Sequence, residues 1–124
     1  MVILVDTSVW IDYIRKTDDR LTNLLEAGDV VMHPYVAGEL MLGNIAGIYE
    51  IVADLREMRQ AMVATNDDTL NFIVEQKLSG SGIGYVDANL LASVSLTPGA
   101  LVWTRDKRLQ RVAERLSLAT DFQD

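Results

Sequence analysis

Val2, Ile3, Leu4 and Val5 form an unbroken apolar run that stops at Asp6. A run without polar alternation belongs in a strand covered on both faces, as in a parallel sheet. Asp6-Thr7-Ser8 then supplies helix-starting residues, and Val9, Trp10, Tyr13 and Ile14 follow at helical spacing. Asp18-Asp19 open a short second helix through Leu21, Leu24 and Leu25, closed by Gly28. Val30-Val31-Met32 is a second apolar strand, and His33-Pro34 leads into a helix over Tyr35 to Leu42, with Pro34 suited to its first turn. Ile48, Ile51, Val52, Leu55 and Met62 share one face of a longer amphipathic segment, opposite Glu50, Asp54 and Glu57. Met62-Val63-Ala64-Thr65 has the pattern of a third strand. Asn66-Asp67-Asp68 caps a helix whose inner face is Leu70, Ile73, Val74 and Leu78.

Gly80-Ser81-Gly82-Ile83-Gly84 lacks the spacing and terminal lysine of a phosphate-cradling loop and reads as a connector. Beyond it come a strongly apolar helix from Val86 to Leu96, a strand at Leu101-Val102-Trp103, and a last helix with Leu109, Val112 and Leu116 inward. Leu118-Ala119 adds an edge strand. Short apolar strands alternating with helices predict an α/β fold: a three-layer α/β/α sandwich around a parallel sheet of four to five strands. At 124 residues, without repeat or linker, the chain is expected to form a single domain over 1–124.

Composition narrows the chemistry. No apolar run approaches membrane-spanning length, and Met1 leads into the first strand without a cationic signal region, so a cytoplasmic protein with no membrane partner is expected. The absence of cysteine removes disulfides and thiolate metal sites, and the single histidine, His33, removes a multi-histidine zinc site. A net charge of −7 opposes bulk electrostatic attraction to nucleic acid. The cations are concentrated, however: five of eleven (Arg105, Lys107, Arg108, Arg111, Arg115) lie in one C-terminal stretch. Two bound divalent cations would cancel more than half the net charge.

Four acids stand out by position. Asp6 and Asp106 each follow an apolar strand and open a helix, and Asp87 lies in the first turn of the most apolar helix. Strand ends and helix starts share one rim of a parallel sheet, so these three can converge there. Glu39 sits in mid-helix beside Val36, Leu40 and Gly43, and can reach the same rim. Taken singly, each aspartate is better explained as a helix cap or dipole partner worth about 0.5–2 kcal/mol; Glu39, in mid-helix, is not a cap, although it can extend to water. Taken together, two carboxylates about 4 Å apart repel by roughly 4 kcal/mol at an effective dielectric near 20. Oxygen-only ligands suit Mg²⁺ or Mn²⁺, and two such ions can activate water and stabilise the leaving oxygen of a phosphodiester.

The run from Val2 to Ile11, with Asp6-Thr7-Ser8 inside it, resembles the opening of PIN-domain ribonucleases, especially the VapC toxins of toxin–antitoxin pairs. The resemblance continues through Gly38-Glu39-Leu40, Gly84-Tyr85-Val86-Asp87-Ala88-Asn89, and Trp103-Thr104-Arg105-Asp106-Lys107-Arg108-Leu109. Four such motifs in the right order are specific. The resemblance implies that Asp6, Glu39, Asp87 and Asp106 are the carboxylates of a metal pocket, with Ser8 and Thr104 as auxiliary polar residues. It further implies Mg²⁺- or Mn²⁺-dependent endonucleolytic cleavage of RNA, typically in a tRNA or ribosomal RNA loop. A homodimer and a cognate VapB-type antitoxin are implied as partners.

Two other functions compete. A phosphoacceptor or phosphotransferase domain would use Asp6 as nucleophile, but such folds want a second Asp two residues on, where this chain has Ser8. A catalytically silent PIN scaffold would need none of the four acids. Arg105, Lys107 and Arg108 are the candidate RNA contacts, Arg105 foremost. Arg108, Arg111 and Arg115 form one stripe that also suits a solvated helix face. Trp10 and Trp103 could stack bases, although core packing explains both, and His33 reads as a strand-end residue. Asn89, about 200° around the helix from Asp87, should point away from the metal.

Overall fold

A computed structural model describes residues 1–122. Along the chain lie β1 (Val2–Val5), α1 (Thr7–Arg15), α2 (Asp19–Glu26), β2 (Val30–Val31), α3 (Pro34–Met41) and α4 (Ile48–Leu55). They are followed by α5 (Asn66–Glu75), α6 (Tyr85–Leu96), β3 (Ala100–Trp103) and α7 (Lys107–Arg115). The strands form a parallel sheet in the order β2-β1-β3, with Ile3 opposite Val30 on one side and Leu101 on the other. Ile3, Leu4 and Val5 are consecutive and all essentially inaccessible. Successive strand residues face opposite ways, so helices must cover both faces. The unbroken apolar run thus records its own position at the centre of the sheet.

The expected sheet was wider. Among the described residues only three strands form: the Leu118-Ala119 candidate survives as a single bridge, Ala119 with Val102, and the other single bridge, Met32 with Gln60, lies before the Met62–Thr65 candidate. The segment Met62 to Thr65 fails as a strand because its amide donors go to side chains. Met62 N–H donates to Thr97 Oγ1, Ala64 N–H to Ser93 Oγ, and Thr65 N–H to Asp68 Oδ2. Pairing with β2 occurs earlier, where Met32 N–H donates to Arg59 O and Ala61 N–H to Met32 O. At the other edge Val102 N–H donates to Leu118 O and Thr120 N–H to Val102 O, a ladder one residue wide.

Two helices also differ from their patterns. Helix α4 ends at Leu55, and Met62, assigned to its apolar face, lies beyond it and is exposed. Helix α5 buries Thr69 and Phe72 while Leu70 and Val74 face solvent. A reciprocal cap sets its phase: Thr65 Oγ1 accepts from Asp68 N–H, and the Asp68 carboxylate accepts from Thr65 N–H. Thr69 then turns to α6 and accepts a hydrogen bond from Asn89 Nδ2 at 2.9 Å.

Helix α6 buries every residue from Ala88 to Val94, and its amino-terminal end carries Asp87. It is bound to α3 through a buried polar chain. His33 Nδ1 accepts from Tyr35 N–H, which caps α3 and leaves the proton on Nε2. Nε2–H donates to Ser93 Oγ at 3.0 Å. The Ser93 hydroxyl, which also accepts from Ala64 N–H, donates to Asn89 Oδ1. Burial holds the His33 imidazole neutral and lowers its pKa to about 4.

Candidate active site

Asp6 follows the last residue of β1 at the carboxyl end of the central strand, where open α/β sheets place their ligands. It occupies the N-cap position of α1, yet its side chain makes no capping bond. Its Oδ2 accepts two hydroxyl donors instead, Thr104 Oγ1 at 2.7 Å and Ser8 Oγ at 2.8 Å. Oδ1 has no hydrogen-bond partner among the described residues. Capping therefore does not explain Asp6. Two hydroxyls orient a nearly buried carboxylate and leave one oxygen available.

The hydroxyl pair is itself held. Ser8 Oγ accepts from Arg105 N–H, Thr104 Oγ1 accepts from Asp106 N–H, and the two oxygens lie 3.3 Å apart. The turn after β3 is thereby fastened to the turn after β1, which brings Asp106 to the rim. Asp106 does cap its helix, accepting from Arg108 and Leu109 N–H through Oδ1. Glu39, exposed on α3, is tied to the same rim by Thr7, whose hydroxyl donates to Oε1 at 2.7 Å. Sequence reasoning picked out Ser8 and Thr104 but missed Thr7; its position next to Asp6 in the Asp-Thr-Ser triplet was the available signal.

Asp87 registers the convergence electrostatically. Burial pushes its carboxyl up first, and the negative charges of Asp6, Asp106 and Glu39 add to it, raising the pKa to about 6. Asp6, Asp106 and Glu39 therefore all lie within electrostatic reach of Asp87. As the side chains stand, no three acid or imidazole groups among the described residues are disposed around one ion. The donor set is nonetheless of one kind: carboxylates and hydroxyls, all hard oxygen ligands suited to Mg²⁺ or Mn²⁺. Crowded negative charge of this sort is relieved by a divalent cation. The residues fit such an ion.

The remaining candidates separate clearly. Arg105 is engaged: its guanidinium pairs with Asp12 at 2.9 Å and with Asp18 at 3.1 Å, and lies 5.6 Å from the Trp103 ring centroid. Asp18 in turn caps α2, and these bonds hold its pKa below the usual carboxylate range despite the opposing effect of burial. Lys107 and Arg108 stand exposed at the start of α7. Trp10 and Trp103 are both buried in the core. Asn89 points into the packing between α5 and α6, donating to Ala64 O and Thr69 Oγ1, away from Asp87.

The PIN domain family model matches residues 3–115, a span that takes in the sheet from Ile3 onward and Asp6, Glu39, Asp87 and Asp106. The chain belongs to the PIN-domain family. It is 44% identical over 118 residues, 95% of this chain and 95% of the relative, to Ribonuclease VapC32 of Mycobacterium tuberculosis strain CDC 1551 / Oshkosh. The same figures hold for Ribonuclease VapC32 of strain ATCC 25618 / H37Rv. With likeness over nearly the whole length of both, the chain is a VapC-type member of the family, as its four motifs implied.

Proposed function

We propose that this protein is a VapC-type toxin, a Mg²⁺- or Mn²⁺-dependent endoribonuclease that hydrolyses phosphodiester bonds in RNA, with a tRNA or ribosomal RNA loop as target. One arrangement carries the reading: at the end of the central strand Asp6 makes no capping bond, is held by the Ser8 and Thr104 hydroxyls and keeps one oxygen open, while burial and the three other acids push the half-buried Asp87 carboxyl up. Such crowding costs stability and is kept where a site needs it. Asp6, Asp87, Asp106 and Glu39 would hold the metal. When bound, a divalent ion supplies a nucleophilic water at neutral pH and neutralises charge on the leaving oxygen. Ser8 and Thr104 fix the Asp6 carboxylate, and Thr7 fixes Glu39, so these side chains need little reorganisation as the reaction proceeds.

The same reading covers the partners. Leu42 at the end of α3 and Tyr49 on α4 are 89% and 68% exposed and offer a VapB-type antitoxin an apolar foothold. Met62, Leu70, Val74 and Leu96, all exposed on or near α5 and α6, support a homodimer. No helix among the described residues is long and apolar enough to cross a membrane, and action on cellular RNA agrees with a cytoplasmic location.

The test is cleavage of a labelled RNA by Asp6→Asn and Asp87→Asn proteins, with folding checked by circular dichroism. Loss of rate on the order of 10²–10⁴ is expected, the range for removing a positioned catalytic group. A folded variant that cuts RNA as fast as the parent refutes the proposal.

A further inference from the structure

Cations left over by the site gather on the far side of α7. Lys77, Ser79, Ser81, Arg111 and Arg115 line a cavity of about 320 Å³ between the turn after α5 and that helix. Three positive charges thus face one space in a chain whose net charge is −7. No ion pair joins Lys77, Arg111 or Arg115 to a carboxylate among the described residues. Arg115 is nevertheless fixed, donating from Nη2 to the Gln76 carbonyl at 3.0 Å. Ser81 adds a buried hydroxyl without a hydrogen-bond partner. Buried polar groups are seldom left unpaired. Lys77, Gly80 and Gly82 all have positive φ, so the turn holds a specific shape. Cations, spare hydroxyl donors and no carboxylate in the lining make a place for a tetrahedral oxyanion.

Its location suggests which oxyanion. Arg111 also lines a neighbouring cavity of about 440 Å³, together with Lys107, Phe122 and Thr104. Thr104 is the residue whose hydroxyl holds Asp6. Lys107, Arg111 and Arg115 recur every four residues on α7, so their side chains follow one another along one face at about 6 Å intervals. Lys107 and Arg111 line the cavity that includes Thr104, where Glu114 is the one carboxylate, and Arg111 and Arg115 line the cavity beside the Gly-Ser turn, so Arg111 joins the two. Arg105, the arginine expected foremost, is held by Asp12 and Asp18.

We propose that the cavity formed by Lys77, Ser79, Ser81, Arg111 and Arg115 binds a backbone phosphate of the RNA strand, away from the bond that is cut. The inference rests on the nuclease reading and extends it: cleavage chemistry belongs to the acidic rim, and strand grip to α7 and the Gly-Ser turn. Phosphate contacts of this kind position the strand without reading its sequence.

The test is binding of a short fluorescein-labelled single-stranded RNA by anisotropy, in EDTA so that nothing is cut, across a range of salt. The parent is compared with Arg111→Gln, Lys77→Gln, the double variant, and Arg15→Gln on α1 as control. Removing one cation from the phosphate should reduce the slope of log affinity against log salt by about 0.7, equivalent to about fivefold weaker binding at 0.1 M salt. In cleavage assays with metal, the same variants should raise KM and leave kcat unchanged. If Arg111→Gln does not fold, Lys77→Gln, outside the helix, carries the same expectation. Slopes equal to the parent's, or a parent that binds no RNA in EDTA, overturn the inference; the nuclease reading stands or falls separately, on cleavage by the parent in Mn²⁺. Two further results overturn the assignment to RNA with slopes unaltered: inorganic phosphate raising the melting temperature of the parent alone, or poly-glutamate binding lost in the double variant.

Discussion

Neutralising Asp87 should stabilise the metal-free protein while destroying its activity. The Asp87 carboxyl is raised from 3.8 to about 6 by burial and by the charges of Asp6, Asp106 and Glu39. A shift of about two pH units corresponds to about 3 kcal/mol. Because Asp87 is only half-buried, solvent screening reduces that to about 1–2 kcal/mol. The sign follows from linkage. A raised folded-state pKa means that the native state binds the proton more tightly, so stability falls as pH rises from about 4 to about 6. Asp87→Asn removes the titration. The variant should match the parent below pH 4 and exceed it by about 1–2 kcal/mol above pH 6, or about 4–8 °C in melting temperature for a chain of this size. Thermal melts in EDTA at several pH values provide the assay. Saturating Mn²⁺ should then raise the melting temperature of the parent, because ligands that bind only the folded state stabilise it, and have less effect on the variant. A metal-free Asp87→Asn protein no more stable than the parent at pH 7.5 would show that the four charges are not crowded and need no shared cation.

Three other perturbations probe separate parts of the structure. Thr104→Val removes a donor to Asp6 and the acceptor for Asp106 N–H; Mn²⁺ affinity measured by calorimetry should fall about 10–100-fold, as for other residues that orient metal ligands, and unchanged affinity would make the hydroxyl merely structural. His33 has its pKa lowered to about 4 by burial, so its contribution to stability is present above pH 6.5 and lost as pH falls toward 4; the imidazole signals in NMR should not titrate near 6.5, and His33→Gln should flatten that part of the stability profile. Arg105→Gln breaks both bridges to Asp12 and Asp18 and should cost about 1 kcal/mol in urea denaturation, the scale of partly exposed pairs, without changing the salt slope of RNA binding; a reduced slope would return Arg105 to the RNA surface.

The rim was legible in the sequence because its determinants are local. An apolar run that stops at an acid marks a strand end whatever lies elsewhere, and this places Asp6; a helix-opening acid shortly after the last strand places Asp106, and a carboxylate in the first turn of the most apolar helix places Asp87. The capping alternative was also legible but could not be resolved from the letters. Only coordinates show that Asp106 caps its helix whereas Asp6 accepts from two hydroxyls instead. What the sequence concealed depends on distant partners. Met62 to Thr65 reads as a strand until Ser93 and Thr97 divert its amides. Leu70 and Val74 read as core until Thr69 is drawn to Asn89. Arg105 reads as a free cation until carboxylates 93 and 87 residues away close on it.

Helix α6, enclosed from Ala88 to Val94, leaves its own sequence little room to vary. One residue inserted within it would turn Asp87 by about 100° relative to the buried face, so core and carboxylate would be lost together. The exposed face of α7 and the glycine-serine turn carry no such constraint, so substitutions accumulate there while the orientation of Asp87 stays locked by the interior.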